Sequence, residues 1–147
     1  MKIVLGFDDS PHAQAALRWM CEQAWPAGAK AIVVSAVRVP VTAYAEVYAP
    51  SVGFTQESLA ELEQHSQEIV AAARTQLQSA GIAAEGRVLQ GDPREVLVDV
   101  ARAEGAGLVV VGSHGRTGFA RLVLGSVAAH VVGHAPCSVM VVKRPGR

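Results

Sequence analysis

Five apolar runs punctuate the chain, at residues 3–7, 31–39, 84–90, 108–111 and 138–142. Four are continuous and rich in valine. The third is more polar, carrying Glu85, Arg87 and Gln90. Continuous β-branched runs suit strands covered on both faces, as in a parallel sheet. The gaps between them carry helical signals. Ser10-Pro11 reads as a cap followed by proline at the first helical position, where its missing N–H costs nothing. Trp25-Pro26-Ala27-Gly28 is predicted to end that helix. The second helix is predicted over 56–79, with Ser58 and Glu61 at capping-box spacing. Its apolar stripe is Leu59, Leu62, Ile69, Ala73 and Leu77, and Gly81 stops it. Asp92-Pro93 opens a third, striped by Val96, Leu97, Val100 and Ala101. Ser126 is predicted to cap a fourth, which carries Val127, Val131 and Val132 until Gly133 and Pro136.

The order βαβαβαβαβ predicts an α/β fold: an open five-stranded parallel sheet with right-handed crossovers and helices on both faces. Such sheets bind ligands beyond the carboxyl ends of their strands, where the strand order reverses. Those ends carry Phe7-Asp8-Asp9-Ser10, Val37-Arg38, Gly91-Asp92 and Gly112-Ser113. Segment 40–55, with Tyr44, Tyr48 and Phe54, is irregular and reads equally as a lid or a plain surface loop.

Composition narrows the classes. A chain of 147 residues, half of them hydrophobic, predicts one domain over 1–147 with a sizeable core. The 13 basic residues balance the 13 acidic ones, and no basic run offers the contacts that nucleic acid or an anionic membrane needs. No apolar run reaches membrane-span length, and Asp8-Asp9 breaks the first run too early for a signal peptide, so a cytoplasmic protein is expected. Cys21 and Cys137 form no CxxC and read as structural thiols. His12, His65, His130 and His134 fall on predicted helices and read as solvated or capping groups rather than zinc ligands.

The chemistry concentrates in Gly112-Ser113-His114-Gly115, nine residues, then Gly125-Ser126. A strand that stops at glycines, a loop and a new helix start is a recurrent phosphate cradle: N–H groups at a helix start lack intrahelical partners, and the helix dipole favours negative charge there. The GxxxxGK[ST] loop is absent. Gly112, Gly115 and Gly118 are spaced GxxGxxG after the fourth strand, which does not fit a dinucleotide fingerprint.

The spacing Gly112-x2-Gly115-x9-Gly125-Ser126 matches the G-2x-G-9x-G-[S/T] signature of the ATP-binding branch of the universal stress protein family. The chain also resembles that family in Ile3-Val4-Leu5-Gly6-Phe7-Asp8-Asp9-Ser10, in Gly91-Asp92-Pro93 and in the closing stretch from His134-Ala135-Pro136-Cys137 to Val142. The resemblance implies a Rossmann-like adenine-nucleotide fold with ATP across the strand ends. It implies Asp8 at the ribose or base, with Gly6 and Phe7 beside it, and the backbone of Val37 at the adenine edge. Val111 and Gly112 would flank the ribose, while Gly115, Gly125, Ser126 and Val127 would hold the phosphates. Mg2+ would be held mainly by those phosphates. His114 would line the site without a catalytic role. Arg116 reads equally as a phosphate partner and as a solvated loop charge, and Ser10 as a simple cap. A homodimer through the last strand, Val139-Met140-Val141-Val142, is implied as well.

Three positions depart from the family pattern. Asp9 stands where glycine is usual, Ala36 where histidine is frequent, and Gly107 where aspartate commonly opens the fourth strand. Three functions stay open at this level: an ATP-binding regulatory protein, a slow ATPase or adenylate-transferring enzyme, and a dimeric interaction protein that binds no nucleotide. The three lysines, Lys2, Lys30 and Lys143, lie outside any phosphate loop, which argues against fast phosphoryl chemistry.

Overall fold

The structure is a computed structural model that describes residues 1–39, 56–116 and 123–145. The expectation of a lid or loop at 40–55 lies outside the described residues. The strands are β1 (Lys2–Gly6), β2 (Lys30–Val37), β3 (Ala83–Gln90), β4 (Leu108–Gly112) and β5 (Ser138–Val142). The helices are α1 (Pro11–Glu22), α2 (Gln56–Ser79), α3 (Pro93–Glu104) and α4 (Ser126–His134). The predicted alternation is thus the observed one.

All pairings are parallel, in the order β3-β2-β1-β4-β5. The central strand β1 is apolar at every interior position, because both of its faces are covered. Ile3, Leu5, Ala31, Val33 and Val110 pack under α1 and α2. Val4, Ile32, Val34, Val109 and Val111 alternate with them and pack under α3 and α4. The polar third run is β3, an edge strand with no fully buried residue, which is why it could carry charge. The chain leaves β1 in one direction and β4 in the other, so the strand order reverses between them.

The helix ends differ from expectation in instructive ways. The first helix stops at Glu22, three residues before Trp25, because side chains occupy its last carbonyls. Gln23 Nε2 donates to Trp19 O at 3.1 Å, and Trp25 Nε1 donates to Met20 O at 2.9 Å. In α2, Ser58 lies inside the first turn, so its spacing with Glu61 is not a capping box at the helix entry. Leu62 is exposed, and the buried stripe is Ser66, Val70, Ala73 and Leu77. The third helix follows the rules closely. Asp92 caps it through Arg94 N–H at 2.9 Å, Pro93 leads, and Gly105 closes it at φ 59°.

At α4 the N-cap is Gly125, not Ser126, which is the first helical residue. A Cβ at Gly125 would lie 3.1 Å from His114 Cα and 3.2 Å from Ser113 O. The position is too close to the preceding loop for any capping side chain, so the helix starts with no side-chain cap. On the same helix Val131 is buried and Val132 exposed.

Candidate functional site

The carboxyl ends of the neighbouring strands β1 and β4, where such sheets carry their ligand crevice, bring together two loops and one helix start. After β1 the chain turns sharply at Phe7-Asp8-Asp9-Ser10. Phe7 N–H donates to Val34 O at 2.9 Å, and its ring is buried in the α1/α2 core. Only its backbone remains for a ligand. Asp8 Oδ1 accepts Ser10 N–H at 3.0 Å, and Ser10 Oγ accepts Ala13 N–H at 3.2 Å, capping α1 as expected. Asp9 has φ +61°, the left-handed region that favours glycine. The family's usual glycine therefore has a backbone reason. The Asp9 carboxylate accepts Gln14 Nε2 at 2.6 Å and lines a cleft of about 250 Å³ on the α1/α2 side, with His65 and Glu68. Its charge is held on that side rather than over the glycine loop.

The β4 loop is packed against these groups by its missing Cβ atoms. A Cβ at Gly112 would lie 2.6–2.8 Å from His12 C, O and Cβ, in the first turn of α1. A Cβ at Gly115 would lie 3.2 Å from Asp8 Oδ2. Gly125 N–H donates to Ser113 O at 2.7 Å, which clamps the start of α4 onto the loop. The three signature glycines thus each fix one contact: with α1, with Asp8 and with the loop itself. At Gly112 and Gly125 the space a Cβ would need is taken by protein. Gly6 is similar, its missing Cβ leaving room for the Leu97 and Val111 side chains.

The first intrahelical bond of α4 is Ala129 N–H to Gly125 O. The N–H groups of Ser126 and Val127 therefore have no acceptor within the helix and lie beside the glycine loop. Val111 and the Val127 side chain pack into the α3/α4 core, so both would act through backbone. At the end of β2, Val37 is buried and its carbonyl accepts Gly91 N–H at 3.0 Å. Arg116 Nε donates to the Asp8 carbonyl at 2.8 Å, linking the two loops across the crevice.

One constellation escaped the sequence reading. His12, expected to be a solvated or capping group, packs against the β4 loop. Ser113 is buried, and its Oγ lies 3.1 Å from His12 Nδ1 and 3.0 Å from His114 Nδ1. The two imidazole centroids are 5.0 Å apart. Burial, His114 and Arg144 push the His12 pKa below its ordinary value, against the opposing pull of Asp8. A signal was present: a glycine ending β4 beside a helix opening after β1 implies that the two backbones touch. The other histidines do lie on helices. His134 Nδ1 meets its own helix at His130 O, 2.8 Å away, and the two rings stack. Burial raises the pKa of both Cys21 and Cys137, as befits structural thiols.

The universal stress protein family model matches residues 1–143. The chain belongs to the universal stress protein family. A Thermus aquaticus member is 32% identical over 142 residues, covering 96% of this chain and 97% of its own length. Member MJ0531 of Methanocaldococcus jannaschii is 35% identical over 113 residues, covering 69% of this chain and 66% of its own length. Some curated relatives are therefore matched over less than two thirds of their length. The fold is that of MJ0577, whose solved structure superposes with a TM-score of 0.85 at 24% identity, over 99% of this chain and 97% of that one. An Archaeoglobus fulgidus member was solved in complex with dAMP; it is 26% identical with a TM-score of 0.67, over 97% of this chain and 98% of that one. Another member, also 26% identical with a TM-score of 0.66, was solved in complex with cAMP, over 99% of this chain and 98% of that one.

Proposed function

We propose that this chain binds an adenine nucleotide, ATP with Mg2+ held mainly by its phosphates, in the β1/β4 crevice and acts as a regulatory stress protein. The observation that carries the reading is the packing of the signature glycines. They bring a helix N-terminus, the glycine loop and Asp8 together where parallel α/β sheets bind ligands. The complexes of family members with dAMP and cAMP support the ligand class. In this reading Asp8 Oδ2 accepts from the ribose hydroxyls, and Val37 meets the adenine edge. Gly115, Gly125, Ser126 and Val127 surround the phosphates, and Arg116 exchanges Asp8 O for the ligand. Hydrolysis is slow at most. Lys2 and Lys30 are paired with Glu104 and Glu85, at the other end of the sheet from the crevice.

Nucleotide occupancy would be transmitted to a second copy of the chain. The strand β5 directly follows α4 and, among the described residues, is an edge of the sheet that offers Met140 and its outer backbone for symmetric pairing. The functional test is to denature the purified protein, identify any released nucleotide by mass spectrometry, and follow turnover of added MgATP. Released or titratable adenine nucleotide with little turnover is expected. Absence of any adenine nucleotide binding contradicts the reading, and rapid multiple turnover would make the protein an ATPase instead.

A further inference from the structure

The cluster of His12, Ser113 and His114 lies directly beneath the proposed phosphate cradle. Ser113 joins it to that cradle, because its carbonyl accepts Gly125 N–H at the start of α4 while its hydroxyl meets both imidazoles. A serine hydroxyl has one proton to give. With Nδ1 atoms at 3.1 Å and 3.0 Å, Ser113 Oγ donates to one ring and accepts from the other.

We propose that this cluster is the proton-accepting part of the nucleotide site: it takes up a proton when a phosphate-bearing adenine nucleotide binds, so that such ligands bind more tightly as pH falls. The inference rests on the nucleotide-binding reading above. A proton added to the accepting ring turns its Nδ1 into a donor; Ser113 Oγ has two lone pairs to receive both rings, and its own hydroxyl proton must then turn away from them, which adds to the cost of the charged state. In the free protein that charge is opposed from several sides. It would face the other imidazole, Arg144 beyond β5 and the positive end of α1, on whose first turn His12 sits. Arg116, on the same loop as His114, adds a further cation nearby. Asp8, on the β1 loop, is the counter-charge that pulls the other way. Bound phosphates add several negative charges against the same loop. They raise the proton affinity of the imidazoles, and by linkage the proton raises the affinity for the phosphates. A rise of about one pKa unit in one ring corresponds to at most about tenfold in affinity, approached only below both midpoints.

The test is calorimetric titration of ATP into the intact protein between about pH 8 and about pH 6, the range in which imidazole changes charge. The wild type is compared with His12→Asn. Titration of the ATP phosphates is common to both proteins and cancels in the comparison. In parallel, NMR titration of the wild-type imidazoles is run with and without saturating ATP. The wild type is expected to gain about three- to sixfold more affinity on acidification than His12→Asn, and ATP is expected to raise the midpoint of an imidazole of the cluster by about one unit. Parallel affinity profiles together with unmoved imidazole midpoints overturn the proposal while leaving nucleotide binding intact. Absence of ATP binding at every pH overturns the nucleotide reading and this inference with it. Should His12→Asn fail to fold, the wild-type imidazole titration decides alone.

Discussion

At Gly112 an added Cβ would meet the backbone of His12, which cannot swing aside as a side chain could. Gly112→Ala is therefore expected to destabilise the protein by about 1–3 kcal/mol, as overpacking does elsewhere; thermal unfolding would measure it. Asp9 is the opposite case. It holds a left-handed backbone angle that costs a non-glycine residue about 1–2 kcal/mol, partly offset by the entropy glycine loses on folding. Asp9→Gly is expected to leave stability unchanged or raise it by up to about 1 kcal/mol, despite loss of the Gln14 bond. A clear loss of stability would mean that the Asp9–Gln14 bond outweighs the strain. At this scale the glycine spacing and Asp8 of the candidate site could be read directly, because each leaves a residue-type signature. His12 and Ser113 left only the indirect signal of the glycine ending β4, because their partnership depends on two segments 101 residues apart meeting through a missing Cβ.

Among the elements, α3 has the most explicit local encoding: an Asp-Pro start, an apolar stripe and a glycine stop. Its cap is also its pH-sensitive point. Arg94, with Arg38 at longer range, holds the Asp92 carboxyl down at about 2 from an ordinary 3.8. A depressed carboxylate contributes stability that is present above its unfolded pKa and is lost as pH falls through the folded one. The contribution of Asp92 is therefore full near neutrality and disappears between about pH 4 and about pH 2. Asp92→Ala should cost about 1 kcal/mol at neutral pH and next to nothing at the acid end, as denaturant unfolding at both pH values would show. Glu104, held to about 2 by Lys2 and Arg87, ties the end of α3 to β1 and β3 and loses its effect in the same window. Element types were legible because hydrophobic period and turn chemistry are local. The end of α1 was not, because Gln23 and Trp25 fold back onto its carbonyls and stop it early. Neither was the cap of α4, where close packing excluded the side chain that local rules favour.

For the molecule as a whole, the strand count and parallel sense followed from the alternation of runs. The order β3-β2-β1-β4-β5 explains what the alternation alone left open. It places the polar run on one edge, an apolar run on the other, and the β1 and β4 loops side by side. If β5 pairs with a second copy, Met140→Lys, a charge on a half-exposed edge position, should convert a dimer to a monomer in light scattering while leaving the fold intact. A monomeric wild type would remove the strand-pairing account. In the proposed function Gly115 and Asp8 frame an adenine-nucleotide site. The most direct measurement is calorimetric titration of MgATP into the wild type and Gly115→Val, whose added methyls would drive into the Asp8 carboxylate. Saturable binding by the wild type is expected, with a loss of at least about tenfold, roughly 1.4 kcal/mol, in the variant with its fold retained. Equal affinity in the two proteins, or no binding by the wild type, would contradict it.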